Sequence, residues 1–432
     1  VCQHDSSPVV RRYFLTLFCF TWCLPVCLSL GSSGSGHLTY CDLAMGFGTP
    51  LVILASLLRI SDCVYPRHLF HRRSEDSDLP DFLKHVDADV IKFPEDYRPL
   101  GSHSGTDVFF YGPENGPDMW SVQYPDYCSG SQQSPIDINS DLVTPIDYVP
   151  FTLYKFDEKP EHINIKNSGN RAVVTFEFES QMTPIITNGG LPGIFKFLDI
   201  HFHWGENDTI GSEHTVNGRR FPLEMHIVTM NIKYNSMTEA LNKPDGIAVL
   251  SLLYEISHNP RTGRGFDSMI SVIERIRKPE SSARTNTETF SLGEMFHDLI
   301  ETFGCGYYRY IGSLTTPLCN ENVIWTVLKK NEDVSEEQLE VFRSMIGYQN
   351  EPIENNFRPP QPLNGRKVYE TGHLTKRNSI IRSLVNELED FLSKAPLGLL
   401  ENSDIVFDLI KKRRSLDTHH MVWNNRHKNI NY

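Results

Sequence analysis

The stretch Leu198-Asp199-Ile200-His201-Phe202-His203-Trp204-Gly205 constrains this chain more than any other. Apolar and polar residues alternate along it, which is the period of a β-strand with one face against a core. Side chains two apart on a strand share a face, so Asp199, His201 and His203 point the same way. A second strand-like run, Leu223-Glu224-Met225-His226-Ile227-Val228, carries Glu224 and His226 in the same phase. Two histidines on one strand face can be an ordinary solvated pair. A third imidazole in phase on an adjacent strand, with a carboxylate two positions upstream of His201 and of His226, argues instead for a catalytic zinc site. Such a site has three protein ligands and an open fourth position. The two carboxylates would accept the free ring N–H of these ligands and fix their tautomers.

The residues around this pair of strands have the same texture. Between residues 107 and 366, short Val/Ile/Phe/Thr/Tyr runs alternate with Gly, Pro, Asn and Asp at intervals of roughly ten residues, as in sheet-dominated domains. Examples are Arg171–Glu179, Gly193–Trp204, Leu223–Tyr234, Ile247–Ser257 and Val323–Lys329. The spacing predicts helices over Asp267–Arg277 and over Ser335–Met345, the second opening on a Ser/Glu capping pattern. A chain of 432 residues can hold two or three domains, or one large domain with tails. Its 39% hydrophobic and 22% charged residues exclude collagen-like and wholly disordered readings. The net charge of −13 argues against nucleic acid as a partner, because phosphate backbones need clustered Lys and Arg.

The ends read differently. Arg11 and Arg12 precede an apolar run from Tyr13 to Leu30, which a Gly/Ser stretch follows, in the order of a secretory signal. A second apolar run covers Leu51 to Ile60. Residues 1–63 are therefore expected to be a leader with signal-like or anchor-like runs, through which membrane association is possible. Six of the nine cysteines lie there, in no trustworthy zinc spacing. Residues 64–106, polar and with paired His and Arg, read as a linker. Residues 107–366 form the domain, and 367–432 a C-terminal tail. In that tail Ile380, Ile381, Leu384, Val385, Leu388, Phe391 and Leu392 follow helical spacing, before the basic run Lys411–Arg414.

Six motifs carry a resemblance. His201-Phe202-His203-Trp204-Gly205, Gly211-Ser212-Glu213-His214-Thr215-Val216, Glu224-Met225-His226 and Gly312-Ser313-Leu314-Thr315-Thr316-Pro317 stand in the order and spacing of α-class carbonic anhydrases. Gln133-Ser134-Pro135-Ile136-Asp137-Ile138 and Asn356-Phe357-Arg358-Pro359 resemble the family's flanking motifs. The chain is identified on these as similar to the extracellular members of that family over about residues 107–366.

The resemblance implies an α+β, sheet-dominated fold: a central, mostly antiparallel, twisted sheet of about ten strands with peripheral helices. It implies one Zn2+ held by His201, His203 and His226, and reversible hydration of carbon dioxide to bicarbonate through a zinc-bound hydroxide. Asp199 falls where the family usually has Gln, as partner of the first ligand. Glu224 matches the partner of His226, and Asn356 lies in the outer layer of the site. Thr315 matches the threonine that accepts from the hydroxide, and Glu213 the acid that accepts from that threonine. Val228, Val249, Leu314, Thr316, Val323 and Trp325 match the wall around carbon dioxide, together with Thr315 itself. Tyr111 and Asn167 match positions that order the water chain. An apolar wall suits an uncharged substrate, and zinc lowers the pKa of its water to about 7, a magnitude that belongs to this family and not to this sequence. The alternative is a catalytically silent module of the same fold, used for binding or adhesion. Members of that kind commonly lack a zinc histidine, whereas all three are present here.

The same resemblance pairs Cys128 with Cys319 as a disulfide, leaving Cys305 over. Together with the signal-like leader and the sequon at Asn207, it places the protein outside the cell, secreted or on the outer face of the plasma membrane. At the position where fast isozymes carry a proton-shuttling histidine, this chain has Asn170, in Asn167-Ser168-Gly169-Asn170. Neither Asn170 nor the adjacent Arg171 can relay a proton at neutral pH, so turnover is expected to depend on external buffer.

Overall fold

The computed structural model describes residues 83, 86, 88–97, 109–179, 183–286 and 289–372. The chain divides into two compact units, Val1–Ile60 and Ser61–Tyr432, and every described residue lies in the second. The leader over 1–63, the helix expected at 380–392 and the basic run at 411–414 lie outside the described residues. Among the described residues no helix is long and apolar enough to cross a membrane.

Fifteen strands are described: β1 (Asp137–Ile138), β2 (Thr144–Pro145), β3 (Thr152–Tyr154), β4 (His162–Asn167), β5 (Ala172–Glu177), β6 (Ile185–Thr187), β7 (Ile194–Trp204), β8 (Thr215–Val216), β9 (Leu223–Asn231), β10 (Ile247–Ile256), β11 (Ser282–Thr285), β12 (Tyr307–Gly312), β13 (Val323–Leu328), β14 (Glu332–Val334) and β15 (Tyr369–Glu370). Thirteen form one sheet. Its continuous path of ten strands runs β11-β4-β5-β7-β9-β10-β13-β12-β15-β2, with β3, β6 and β14 attached beside it. Within this sheet pairing is antiparallel except at β10–β13, β10–β14 and β15–β2; β1 and β8 form a separate parallel pair. This sheet agrees with the expected fold class.

The helices are short and peripheral: α1 (Ala88–Ile91), α2 (Pro117–Gln123), α3 (Pro125–Cys128), α4 (Met237–Ala240), α5 (Arg264–Ile273), α6 (Leu299–Gly304) and α7 (Glu336–Arg343). The helix expected over Asp267–Arg277 begins three residues earlier and stops at Ile273. At α7 the Ser335 hydroxyl accepts from the Gln338 N–H while the Gln338 side chain accepts from the Ser335 N–H. This closes a capping box in which the fourth residue is Gln, an equivalent of Glu.

The strands that carry the histidines separate two apolar layers. On β9, Leu223, Met225 and Ile227 enter the larger core, and Val228 and Met230 the other. On β7 the alternation breaks once. Phe197 pairs with Thr229 and Asp199 with Val228, so Leu198 is an extra residue, a β-bulge. Before it, Phe195 and Phe197 face the larger core; after it, Ile200, Phe202 and Trp204 do. The bulge thus turns Asp199, His201 and His203 onto the opposite face.

Two readings of the chain's ends are corrected. Within the segment read as a linker, residues 88–97 pack on the sheet. Ile91 and Leu83 form an apolar cluster with Ile185 on β6, and the Lys196 Nζ of β7 donates to the carbonyls of Val90 (3.0 Å) and Lys92 (2.6 Å). The domain also continues past 366, because β15 pairs with β12 and β2. Cys128 and Cys319 are bonded, with Cα atoms 5.0 Å apart, against Phe109 and Trp120. Cys305, left over in the sequence, is itself disulfide-bonded.

Candidate metal centre

Pairing of β7 with β9 sets His201 directly opposite His226, and His203 opposite Glu224. The three imidazoles converge: ring centres lie 5.2 Å apart for His201–His203, 5.2 Å for His201–His226 and 4.6 Å for His203–His226. One ligand atom from each falls within 4.8 Å of the others. His201 Nε2 and His226 Nδ1 are 3.3 Å apart. Two ligands on a tetrahedral zinc, at about 2.0–2.1 Å each, stand roughly 3.3 Å from one another. His203 Nε2 is buried with no hydrogen-bond partner among the described atoms. An orphaned ring nitrogen aimed at two others suits a metal far better than it suits a packed core. The donor set therefore fits zinc.

Each ring is aimed by its other nitrogen. His201 Nδ1 lies 2.8 Å from Asp199 Oδ1, His203 Nδ1 lies 2.8 Å from the Asn356 carbonyl, and His226 Nε2 lies 2.6 Å from Glu224 Oε1. Asn356 itself is clamped: its Oδ1 accepts from the Trp204 N–H, and its Nδ2 donates to the carbonyls of Asn170 and Phe202. Burial, reinforced by Arg171, keeps the His201 pKa well below the usual range; burial does the same at His203 and lowers His226. Neutral imidazole is the form that binds a metal.

Glu224 is the hub of the outer layer. Its Oε1 also accepts from Ser251 Oγ (2.6 Å) and lies 2.7 Å from His214 Nδ1, while its Oε2 accepts from the backbone N–H groups of Glu213 and His214 at 2.8 Å. Burial alone would raise its pKa, but His214 and His226 hold it well below the usual carboxylate range. Burial and the charge of Glu224 push Glu213 the other way, against the Thr315 hydroxyl and the Arg358 N–H, which donates to Glu213 Oε1 at 2.9 Å. Asp199, fully buried, is raised to about 6 by desolvation, with Arg171 and the Tyr97 hydroxyl acting to lower it.

The pocket beside the triad is lined by Arg171, His201, His226, Val228, Val249, Leu314, Thr315, Thr316 and Trp325. The sheet explains most of this list, since Val228, Val249 and Trp325 are consecutive partners across β9, β10 and β13. Val323 does not line the pocket; it packs behind it, in the apolar cluster of Val228, Val249, Leu314 and Trp325. Asn167 is not there either. Its Oδ1 accepts from the Gly169 N–H, and its Nδ2 donates to the carbonyls of Arg277 and Ile346. It ties the β4–β5 turn, where Gly169 takes φ +83° and a side chain would strike the Tyr348 ring. Tyr111 packs edge-on against Phe109 and Trp120, its hydroxyl buried without a hydrogen-bond partner among the described residues and its pKa raised by burial and by Glu213. Asn170 donates to the Phe109 carbonyl, and Asn207 is exposed.

Sequence reasoning missed four residues of this centre. Ser251 and His214 sit around Glu224; Arg171 stands in the pocket wall; Tyr97 donates to Asp199 Oδ2. His214 lies inside a motif already noted, and Arg171 beside the Asn170 position. Tyr97 has no local signal.

A profile of eukaryotic-type carbonic anhydrases matches residues 115–372. The chain is 34% identical to carbonic anhydrase 15 of Mus musculus over 277 residues, covering 62% of this chain and 83% of that protein. It is 36% identical to carbonic anhydrase 7 of Mus musculus, with 61% and 97% covered, and 36% identical to carbonic anhydrase 1 of Mus musculus, with 60% and 96% covered. The ring geometry, the aligned motifs and these likenesses lead to one conclusion: the chain belongs to the eukaryotic-type carbonic anhydrase family.

Proposed function

We propose that the protein is a zinc enzyme that reversibly hydrates carbon dioxide to bicarbonate and a proton. The observation that carries this reading is the convergence of three buried ring nitrogens, one of them without a partner among the described atoms, beside an apolar pocket. His201, His203 and His226 would hold one zinc ion, which supplies a water acidified to near neutrality.

The other residues take separable parts. Val228, Val249, Leu314 and Trp325 exclude water from the space beside the triad, where an uncharged substrate is bound without desolvating a polar partner. Thr315 lines the same pocket, and its hydroxyl acts to lower the Glu213 pKa. Glu213 Oε1 accepts from the Arg358 N–H, and its buried Oε2, which has no other partner among the described atoms, is the oxygen left to accept from the Thr315 hydroxyl; that bond would leave the threonine oxygen as an acceptor facing the pocket. A nucleophile donating to that oxygen keeps a lone pair aimed at the substrate. The Thr315 N–H and the Arg171 guanidinium are the donors available to the bicarbonate product. With Asn170 at the shuttle position, the proton leaves by way of buffer.

The Cys128–Cys319 disulfide supports folding in an oxidising compartment, and with the leader it favours secretion or the outer face of the plasma membrane. Residues 107–366 would be the catalytic domain, extended by residues 88–97 and 367–372. Asn207 would carry the glycan. No observation favours the silent module.

Metal analysis and stopped-flow hydration test the reading. One zinc per chain, and activity lost both on chelation and in His226→Ala, is the expected result. Less than half an equivalent after zinc repletion, or activity unchanged in His226→Ala, would sink it.

A further inference from the structure

We propose that Tyr97, from the segment that precedes the matched family region, is a positioning residue for the metal centre: its hydroxyl fixes the Asp199 carboxylate that orients the His201 ring. This rests on the zinc reading above. Asp199 has two oxygens, and each has one task. Oδ1 faces His201 Nδ1 at 2.8 Å, and Oδ2 accepts from the Tyr97 hydroxyl. A short carboxylate held at one oxygen only can still turn about its last torsion, and the imidazole turns with it. Held at both oxygens and fully buried, it cannot.

Tyr97 is itself held in place. Its ring lies in the same apolar cluster as Val228, Val249, Leu314 and Trp325, and meets Phe93 edge-on at 5.1 Å. The residue before it, Asp96, accepts from the Met237 N–H (3.0 Å) and from the Thr238 N–H and hydroxyl (3.2 Å each), at the first turn of α4. Further back, Lys196 donates to the carbonyls of Val90 and Lys92. Lys196 lies on β7, three residues before Asp199, so the segment is clamped to the strand that carries two of the three ligands. Burial and the charge of Asp199 raise the Tyr97 phenol well above its usual range, so it keeps the proton that it donates.

The segment lies outside the matched residues 115–372. Outer partners of metal ligands typically contribute 10–100-fold to metal affinity or activity. Tyr97 acts one bond further out, and the lower end of that range is expected.

The test uses the full chain and the variant Tyr97→Phe, which keeps the ring in its cluster. Zinc content is measured first, then the rate of zinc release to a chelator, then the visible spectrum of the cobalt(II)-loaded protein. The expected result is one zinc in both proteins, release about tenfold faster in Tyr97→Phe, and a cobalt spectrum altered in shape. In an Asp199→Ala background the same change should have no further effect, because the two act in series. Zinc release unchanged in Tyr97→Phe, or accelerated equally in both backgrounds, overturns the proposal and leaves the zinc reading standing. A wild-type chain that takes up no zinc overturns both.

Discussion

His214 and Glu224 are joined twice: ring Nδ1 to Oε1 at 2.7 Å, and backbone N–H to Oε2 at 2.8 Å. His214 also stacks edge-on against Trp325 at 4.8 Å, and its Nε2 meets the Tyr310 hydroxyl at 2.7 Å. One buried residue thus ties the carboxylate behind His226 to the apolar wall. Replacing it by Phe leaves Glu224 short of a donor and the Tyr310 hydroxyl short of a partner. A loss of about 3–5 kcal/mol is expected, as for other broken buried pairs. Thermal unfolding should show a drop of roughly 10 °C or more. A drop of only a degree or two would mean that the double link is not what holds this corner.

Arg171 is 3% exposed, lines the pocket, and has an Nη2 with no partner among the described residues. A guanidinium in this position attracts anions. Arg171→Met should raise the inhibition constants of acetate and similar small anions about tenfold, which corresponds to about 1.4 kcal/mol. Equal inhibition of both proteins would show that the guanidinium does not reach the bound anion.

Proton transfer is the expected bottleneck. Recombination of a proton cannot exceed about 10¹⁰ M⁻¹s⁻¹, which limits loss from a water of pKa about 7 to roughly 10³ s⁻¹. Imidazole-type buffers should therefore raise turnover strongly, and Asn170→His should reduce the dependence. Turnover above about 10⁵ s⁻¹ that ignores buffer concentration would reveal an internal relay that this reading omits.

Glu332 gives a pH dependence of stability. Its Oε1 accepts from the Thr302 hydroxyl (2.7 Å) and its Oε2 from the His297 N–H (3.1 Å), yet burial raises its pKa to about 7. The folded state binds this proton more tightly than the unfolded chain does. Its contribution is therefore full below about pH 4.5 and is lost as pH rises through 7, by up to roughly 3 kcal/mol. Urea midpoints at pH 5 and pH 8 should converge in Glu332→Gln relative to wild type. An unchanged difference between the two pH values would refute the assignment.

Cys128→Ser should lower the stability of the domain. The bond closes 191 residues, for which the chain-entropy ceiling is roughly 5 kcal/mol. A melting temperature equal to that of the wild type under oxidising conditions would mean that the bond does not form in solution.

What was legible in the sequence was local and periodic. The long strands at 194–204, 223–231 and 247–256 show their alternation directly, and the convergence of the three histidines follows from phase alone. The functional partners that sit two residues from a ligand were legible for the same reason. What failed was anything set by distance in the chain. Tyr97 reaches Asp199 across 102 residues, and no pattern near either announces it. Where Asn167 points was not legible either, because a side chain in an Asn-x-Gly turn can face a cleft or bind its own turn, and only the fold decides. The polar texture of 64–106 hid the buried Leu83, Ile91 and Tyr97.

The extra residue Leu198 makes β7 two half-strands joined out of phase, and this has a consequence for transplanting or redesigning the site. The motif His-Phe-His-Trp is not self-sufficient. Copied into a regular strand in register with its apolar neighbours upstream, it would bury the imidazoles among phenylalanines and present Ile and Phe to the cleft. Deleting Leu198 from this chain would do the same without changing any ligand. A one-residue deletion here is therefore more damaging than most substitutions at the ligands themselves, because it inverts a surface where they remove one donor from it.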